Sequence, residues 1–438
     1  MGKGGQGIAP EEDIRSICWD EVKQHQKKGD SWIVIDGYVY DTSKFAKRHP
    51  GGNVITHWAG QDATEAYRAF HTNFSRVHKY MATIRIGRLE ASDITSADDE
   101  VKKDFEELRE KAKQLGYFKP SIPFFLVTVG QLIFFELIGL FIICYYGTGW
   151  LPWTLSVFLL AAGQAQAGWS QHDFGHLSVF KSVPLNHAMH WFTMCFMKGA
   201  SCDWWNHLHN QHHSKPNVIN KDPDVRLEAL FVVGEEMPKR MAKKKKTMPY
   251  NWQQGYFFAI GPPLLFPIFF QIMTIRHAIV RRKWIDVFFM ALFYLRFAII
   301  YSSLMGVWGM CKFYFAMRII ESHWFVWVSQ SNHIPMEIDD DKERPWLPLQ
   351  LRASCNIEGS YFNNWFTGHL NYQIEHHLFP TMPRHNLYKV TPLVRELCKK
   401  YNIEFQNKPI LTAFFDIVRS LKHSGEIWYS YYHTYHKL

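Results

Sequence analysis

Apolar and polar positions divide the chain into a polar N-terminal part and a longer remainder in which extended apolar segments alternate with polar ones. Four apolar segments are long enough to cross about 30 Å of hydrocarbon as helices. They cover residues 122–146, 151–170, 256–275 and 285–308. Short connections join the first to the second and the third to the fourth, so we expect two hairpins that each return the chain to the side it left. The pattern predicts an α-helical membrane protein with its long polar segments on one side.

Basic residues indicate which side this is. The run at residues 243–246 is entirely lysine, and cytosolic loops carry an excess of Lys and Arg, so we expect the long polar segments to be cytosolic. Residues 276–283 conflict with this rule, because the second hairpin places their basic side chains at its opposite tip. A further apolar stretch, 313–328, is interrupted by Arg318 and Glu321. It therefore favours an interfacial amphipathic helix over a fifth span.

The polar N-terminal part predicts a small soluble α+β domain over residues 14–90. Trp32–Ile35 and Tyr38–Tyr40 have the composition of strands, and the Asp36-Gly37 pair between them is typical of a tight hairpin turn. Residues 91–120 are rich in charge and predict a linker with a surface helix. The membrane domain then covers residues 121–438.

Composition narrows the classes of protein. Hydrophobic residues make up 47% of the chain and charged residues 20%, which excludes an intrinsically disordered protein. The net charge of +9 favours an anionic partner, and the apolar segments make this a lipid bilayer rather than nucleic acid. Seven cysteines without a CxxC pair predict neither a disulfide framework nor a thiolate zinc site. Residues 1–13 contain no apolar stretch, so we expect no signal peptide and cytosolic termini.

The N-terminal domain contains a candidate haem site. His49-Pro50-Gly51-Gly52 is followed by Asp62-Ala63-Thr64 and then by His71. An iron with two axial imidazoles has no position left for oxygen, so such a haem transfers electrons. With Trp32 in the expected order, this domain resembles cytochrome b5. The resemblance implies that His49 and His71 are the axial ligands of haem b, with His57 as the alternative second ligand.

Most of the other candidate ligands are histidines clustered beyond the ends of the apolar segments. Within each cluster they are spaced three or four residues apart or adjacent, and residues at i and i+4 share one face of a helix, as two ligands of one metal must. Imidazole suits several metals and does not identify one. Seven histidines exceed what one ion needs with positions left open, so two metals are implied. The seven are His172, His176, His209, His212, His213, His376 and His377.

Together, the three clusters, the hairpins and the haem domain resemble the membrane-bound fatty-acyl desaturases. The likeness is to the front-end type with a fused cytochrome b5 domain, close to the animal polyunsaturated fatty-acid desaturases. Gln373 begins the third cluster, Gln373-Ile374-Glu375-His376-His377, where other desaturases have His, and this replacement is typical of that subgroup. The resemblance implies that the seven histidines hold a di-iron centre, with His333 as a further ligand.

The same resemblance implies the reaction. The enzyme would use dioxygen as co-substrate and insert a cis double bond between the carboxyl group and an existing double bond, at Δ5 or Δ6, in an acyl-CoA or acyl-phospholipid. NADH-cytochrome b5 reductase would supply the electrons. The expected location is the endoplasmic reticulum membrane, as a multi-pass protein.

The roles of several residues stay open at this stage. His369 precedes Gln373 by four residues, so a helix through both would make His369 either a further ligand or a residue that orients the ligands. Gln373 itself either ligates weakly or binds a metal-bound water. Five polar residues could orient ligands: Asp173, Asp203, Asn206, Asn364 and Glu375. Ordinary structural roles are favoured for His187, His190, His207 and His323.

Two other functions fit the same sequence. A fatty-acyl or sphingolipid hydroxylase would use the same fold, because one hydrogen abstraction can end in either product. A non-catalytic haem-binding membrane module would use its histidines to hold structural zinc. Two irons per chain beyond haem would support an enzyme, whereas zinc alone would exclude redox chemistry.

Overall fold

The structure is a computed structural model, and it describes residues 14–72, 74–90 and 99–436. The expected absence of a signal peptide concerns residues 1–13, and the first part of the predicted linker is residues 91–98. Both lie outside the described residues.

The N-terminal domain is a five-stranded sheet flanked by short helices. Its hairpin turn has Asp36 at φ 51° and Gly37 at φ 74°, the left-handed pair that a two-residue hairpin loop requires. The turn pairs Ile35 with Tyr38, which confirms both predicted strands. The strand order is β1-β5-β4-β3-β2, with β1 parallel to β5. The elements are β1 (Ser16–Ile17), α1 (Trp19–Gln24), β2 (Gln26–Lys27), β3 (Asp30–Ile35), β4 (Tyr38–Asp41), a 3-10 turn (Gly52–Trp58), α2 (Thr64–Phe70), α3 (Phe74–Met81) and β5 (Arg85–Leu89).

Helix α4 (Asp99–Gln114) fills most of the predicted linker. It is packed on both sides. Arg109 forms a buried ion pair with Glu65 of the N-terminal domain at 2.6 Å. Phe105, which is 1% exposed, stacks on Phe379 of the C-terminal part with ring centroids 5.4 Å apart. The helix therefore fixes the two parts of the chain together instead of acting as a flexible tether.

The rest of the chain is helical. Its elements are α5 (Ile122–Tyr146), α6 (Trp150–Gly175), α7 (Val183–His190), a π-helical turn (Trp191–Phe196), α8 (Cys202–Ser214), α9 (Glu236–Ala242), α10 (Gln253–Leu264), a second π-helical turn (Leu265–Phe270), α11 (Gln271–Val280), α12 (Trp284–Ser331), α13 (Trp346–Ala353), β6 (Asn356–Ile357), α14 (Tyr361–Phe366), α15 (Gln373–Leu378), α16 (Leu387–Lys400), β7 (Asn407–Lys408) and α17 (Ile410–His436). Single 3-10 turns occur at residues 223–225, 250–252 and 384–386.

In the part of the chain that the structure describes, three helical segments are long and apolar enough to cross a membrane: Ile122–Tyr146, Tyr250–Val280 and Trp284–Ser331. Helix α6 is not one of them. It was predicted as a span, but buried polar side chains such as Gln164, Gln166 and Ser170 interrupt its apolar character.

Helix α12 reverses direction at its middle. Gly306 has φ 70° and ψ 168°, a conformation that glycine adopts without a Cβ clash. Tyr301 before this point stacks on Phe313 after it, with ring centroids 4.9 Å apart. Arg318 likewise lies over the ring of Phe293. The two halves of α12 are thus antiparallel, and the prediction of an interfacial helix over residues 313–328 was wrong, because this stretch is packed in the bundle.

The segment from α10 to α11 begins and ends beside the polar part of the molecule. At its start, Tyr250 packs in one apolar cluster with Val225. At its end, the side chains of His277 and Lys283 contact the carboxylate of Asp203 in α8, at 2.8 and 2.6 Å. The tip of the predicted hairpin of 256–275 with 285–308, which carries the basic residues, therefore lies beside α8.

We expect Phe105→Ala to destabilise the chain by about 3–5 kcal/mol, the usual cost of removing a buried phenyl ring. Thermal unfolding of the purified full chain in detergent, followed by haem absorbance and by circular dichroism, measures the effect. Glu107→Ala is the control, because Glu107 lies exposed on the same helix. An unchanged unfolding temperature for Phe105→Ala would contradict the packed role of α4.

Candidate metal centres

Four elements bring eight histidines together. His172 lies in the last turn of α6 and His176 caps that helix, while α8 and α15 supply five more and His333 follows the end of α12. The eight form two groups, in each of which the ligand atoms lie within 4.8 Å of one another. The larger group is His172, His176, His209, His213 and His376, and the smaller is His212, His333 and His377.

The larger group has the spacing of ligands around an ion. The Nε2 atom of His209 lies 3.1 Å from that of His172 and 3.0 Å from that of His213, which is 2.9 Å from that of His376. A metal–imidazole bond is about 2.1 Å long, so two nitrogens bound at right angles are about 3 Å apart. The buried Nε2 of His176 has no hydrogen-bond partner among the described residues. This arrangement fits a bound cation.

In the smaller group, hydrogen bonds determine which ring nitrogen carries the proton. The Nδ1 atom of His377 lies 3.0 Å from the side-chain oxygen of Gln350, and that of His333 lies 2.8 Å from the carbonyl oxygen of Ala353. Each Nδ1–H donates to an oxygen, which leaves a lone pair on Nε2. The Nε2 atoms of His377 and His212 face each other at 3.2 Å. This close approach of two ring nitrogens fits a shared cation.

His212 is oriented by carboxylates. Its Nδ1 lies 2.9 Å from Asp222 and 3.6 Å from Asp224. Burial alone would lower the pKa of His212, but these carboxylates raise it to about 9. A carboxylate on the outer nitrogen also fixes the ring and makes a ligating histidine more basic.

The other imidazoles are held neutral. Burial, followed by the neighbouring imidazoles, lowers the pKa of His213, His376 and His377 well below the ordinary value. Neutral imidazole is the form that binds a metal. These imidazoles are therefore in the form that binds a metal at neutral pH, whereas His212 must lose a proton when it ligates.

Gln373 and His369, whose roles the sequence leaves open, lie at different distances from the histidine groups. Gln373 reaches the smaller group, with its amide nitrogen 2.8 Å from Nε2 of His333, and its buried oxygen has no partner among the described residues. His369 belongs to neither group, and its ring packs against Phe124 instead. It also shares no helix with Gln373, because α15 begins at Gln373 and His369 has φ 64°. The expectation of a shared helical face was therefore wrong.

The residues that orient the ligands were mostly missed by sequence reasoning. Of the five proposed, Asp173 pairs with Arg384, and Glu375 accepts a hydrogen bond from Asn356. Asp222 could have been suspected as an acid ten residues after His212. Gln350 carries no signal in the sequence, because only the fold brings α13 against α15.

The N-terminal domain presents a second kind of site. The rings of His49 and His71 face each other with centroids 6.2 Å apart, the separation of two imidazoles bound at about 2 Å on opposite sides of one iron. The Nδ1 atoms lie 3.1 and 2.8 Å from the carbonyl oxygens of Gly52 and Tyr67, so both Nε2 atoms are free to ligate. His57 lies elsewhere, beside Lys221. This pair fits haem.

Comparison with known proteins gives two family matches and a set of similar solved structures. The family described as fatty acid desaturase matches residues 148–409, more than half of the chain, and the family described as cytochrome b5-like heme/steroid binding domain matches residues 18–90. The chain is also similar to a solved structure of cytochrome b5 of Ostreococcus tauri virus 2, with 33% identity. That match covers 17% of this chain and 94% of the other, with a TM-score of 0.16.

We expect His49→Ala and His71→Ala each to abolish the absorbance of six-coordinate haem, because each removes one of two facing imidazoles. His57→Ala is the matched control and keeps the spectrum, since its ring does not face the pair. Absorbance of the purified chain after haem reconstitution measures this. A normal spectrum in His71→Ala, together with loss of the spectrum in His57→Ala, would identify His57 as the second haem ligand.

We expect the purified chain to bind two metal ions beyond the haem iron, one for each histidine group. His377→Ala should lower this content because it leaves two imidazoles in the smaller group. His369→Ala should keep both ions. Elemental analysis by mass spectrometry, normalised to protein, measures the content. Equal metal loss in the two variants would show that group membership does not predict ligation.

Proposed function

The chain belongs to the fatty acid desaturase family, and we propose that it is a front-end desaturase of polyunsaturated fatty-acyl chains. Family membership makes it a membrane-bound oxidoreductase that desaturates acyl chains. The proposed reaction inserts a cis double bond between the carboxyl group and an existing double bond, at Δ5 or Δ6. The observation that carries the proposal is the combination of a fused cytochrome b5-like domain with Gln373 at the head of the third histidine cluster.

We propose that the eight histidines of the two groups hold a pair of iron ions. Bound iron would supply the activation of dioxygen that removal of hydrogen from a methylene requires and that side chains do not provide. The chain's own part is to hold and orient the ligands. Asp222 and Gln350 keep the Nδ1 protons of His212 and His377 on the outer side of each ring. The burial of His213 and His377, both 0% exposed, excludes water.

The proposed electron supply uses the N-terminal domain. His49 and His71 would hold haem b, and a separate NADH-cytochrome b5 reductase would reduce it. Saturated axial coordination restricts such a haem to electron transfer. Fusion of this domain to the metal-binding part keeps the electron donor at a high effective concentration.

We propose that the chain crosses the endoplasmic reticulum membrane four times, through α5, α6 and the two halves of α12. Helix α6 is included although its mean hydropathy is lower, because its polar side chains Gln164, Gln166 and Ser170 are buried inside the protein. The turns at residues 147–149 and at Gly306 would then lie on the lumenal side, and both termini would be cytosolic. The segment 250–280 would lie along the membrane boundary. Two contacts support this placement. At the end of the segment, His277 contacts Asp203. At its start, Tyr250 packs in the apolar cluster that contains Val225.

The head group of the substrate is either coenzyme A or a phospholipid, and both carry phosphate. Lysines 244–246 line an open cavity together with Met241 and Tyr250. Basic side chains at a membrane surface attract anionic lipid by about 1 kcal/mol each. We propose this surface as the place where the phosphates are bound.

Expression in a host without polyunsaturated lipids, with candidate acids supplied, tests the reaction. We expect a new cis double bond on the carboxyl side of the existing one, located by mass spectrometry of derivatised products. His376→Ala should form no product yet keep its haem spectrum, because this residue belongs to the larger histidine group. His187→Ala, outside both groups, is the control.

Three results would contradict the proposal. A hydroxylated product would indicate a hydroxylase, and a double bond on the methyl side would exclude the front-end reaction. Full activity of His376→Ala would remove this residue from the ligands.

A further inference from the structure

The haem domain contacts the histidine groups through one indole. Trp58 ends the 3-10 turn that follows His49, and it is 5% exposed. Its Nε1–H donates to the hydroxyl oxygen of Ser214 in α8, at 2.9 Å. Ser214 directly follows His213, whose Nε2 belongs to the larger group. A single hydrogen bond and one peptide unit thus separate the haem domain from a candidate ligand.

Polar contacts hold this indole in place. The ammonium nitrogen of Lys215 lies 3.8 Å from the centre of the Trp58 ring, a cation–π contact. The same nitrogen donates to Gln61 at 2.6 Å and to Asp341 at 3.1 Å. Gln61 in turn donates to Asp341 at 2.8 Å. These bonds join the two domains around Trp58 and fix its position relative to α8.

A second aromatic contact leads to the smaller group. Trp346, at the start of α13, lies with its ring centroid 6.2 Å from that of Phe70 and 6.3 Å from that of Trp58. Phe70 directly precedes His71. Gln350 stands one turn after Trp346 on the same face of α13. Its side-chain oxygen accepts from the Nδ1–H of His377 at 3.0 Å, and its amide nitrogen donates to the carbonyl oxygen of His213 at 3.0 Å.

We propose that Trp58 and Trp346 form the electron-transfer contact between the haem domain and the metal centre. The inference rests on the proposed function. In each transfer a ferrous haem is oxidised to ferric and one ferric iron of the pair is reduced to ferrous, and the nicotinamide-dependent reductase then reduces the haem again. Electron tunnelling falls steeply with distance and is faster through bonded and packed atoms than across gaps. Trp58 provides such a connection through its hydrogen bond to Ser214, and Trp346 extends the aromatic contacts of Phe70 and Trp58 to the start of α13.

Trp58 is therefore a positioning residue for electron transfer and not only a packing residue. Trp58→Phe keeps an aromatic ring but removes the N–H, and Ser214→Ala removes the acceptor of the same bond. Trp58→Leu removes the ring as well. A connection that uses the hydrogen bond predicts the same slowing in Trp58→Phe and Ser214→Ala, and a larger slowing in Trp58→Leu.

The experiment uses the full chain loaded with haem and ferric iron, without oxygen and without acyl substrate. A flash-excited flavin delivers one electron to the haem, and absorbance follows the re-oxidation of the haem as the electron leaves. We expect Trp58→Leu to slow this step by an order of magnitude or more, with the haem spectrum and midpoint potential unchanged. His376→Ala, with a disrupted metal site, gives the background rate.

A cross-linked version separates electron transfer from simple docking. Gln61→Cys and Asp341→Cys, joined by a short thiol-reactive linker, hold the domains together in the presence of Trp58→Leu. Slow re-oxidation in the linked Trp58→Leu protein, compared with the linked protein that keeps Trp58, supports the proposal. Re-oxidation at the rate of the unsubstituted chain, with or without the linker, overturns it. Because no product is measured, failure of the proposed desaturation is detected separately by the feeding experiment.

Discussion

The convergence of buried imidazoles on two points dominates this structure. Ring nitrogens about 3 Å from one another have the spacing of ligands around one cation, and neutral imidazole is the form that binds it. Four elements contribute to this arrangement. Helices α6, α8 and α15 each begin or end at the site, and His333 follows the end of α12 there. The outer hydrogen bonds to Asp222, Gln350 and the carbonyl of Ala353 serve the same purpose, because they turn every Nε2 of the smaller group inward.

Local spacing in the sequence was enough to predict much of this site. Histidines four residues apart on a helix share one face, so the structure brings His172 together with His176 and His209 together with His213, as expected. The division into one group of five and one of three could not be predicted. It depends on how α8 lies between α6 and α15, so that the adjacent His212 and His213 face different groups.

The membrane part was less predictable, for a physical reason. Hydropathy reports whether a segment avoids water, and a helix lying along the boundary avoids it nearly as well as one that crosses. Residues 313–328 illustrate the difficulty, because Arg318 and Glu321 interrupt their apolar pattern and yet both side chains are buried in the bundle. The sequence pattern does not indicate the reversal at Gly306, because apolar residues continue on both sides of it. The β-hairpin at Asp36-Gly37 was predictable, since its signal is local and specific to one turn type.

The reversal at Gly306 also determines what the protein exposes on the side away from its histidines. The α5–α6 connection and the α12 reversal are both tight turns of a few residues. Among the described residues, neither turn offers a loop long enough for a folded partner to bind. With the four-span topology proposed above, macromolecules that regulate the enzyme would bind the polar face, where the haem domain, α4 and the histidine groups lie together.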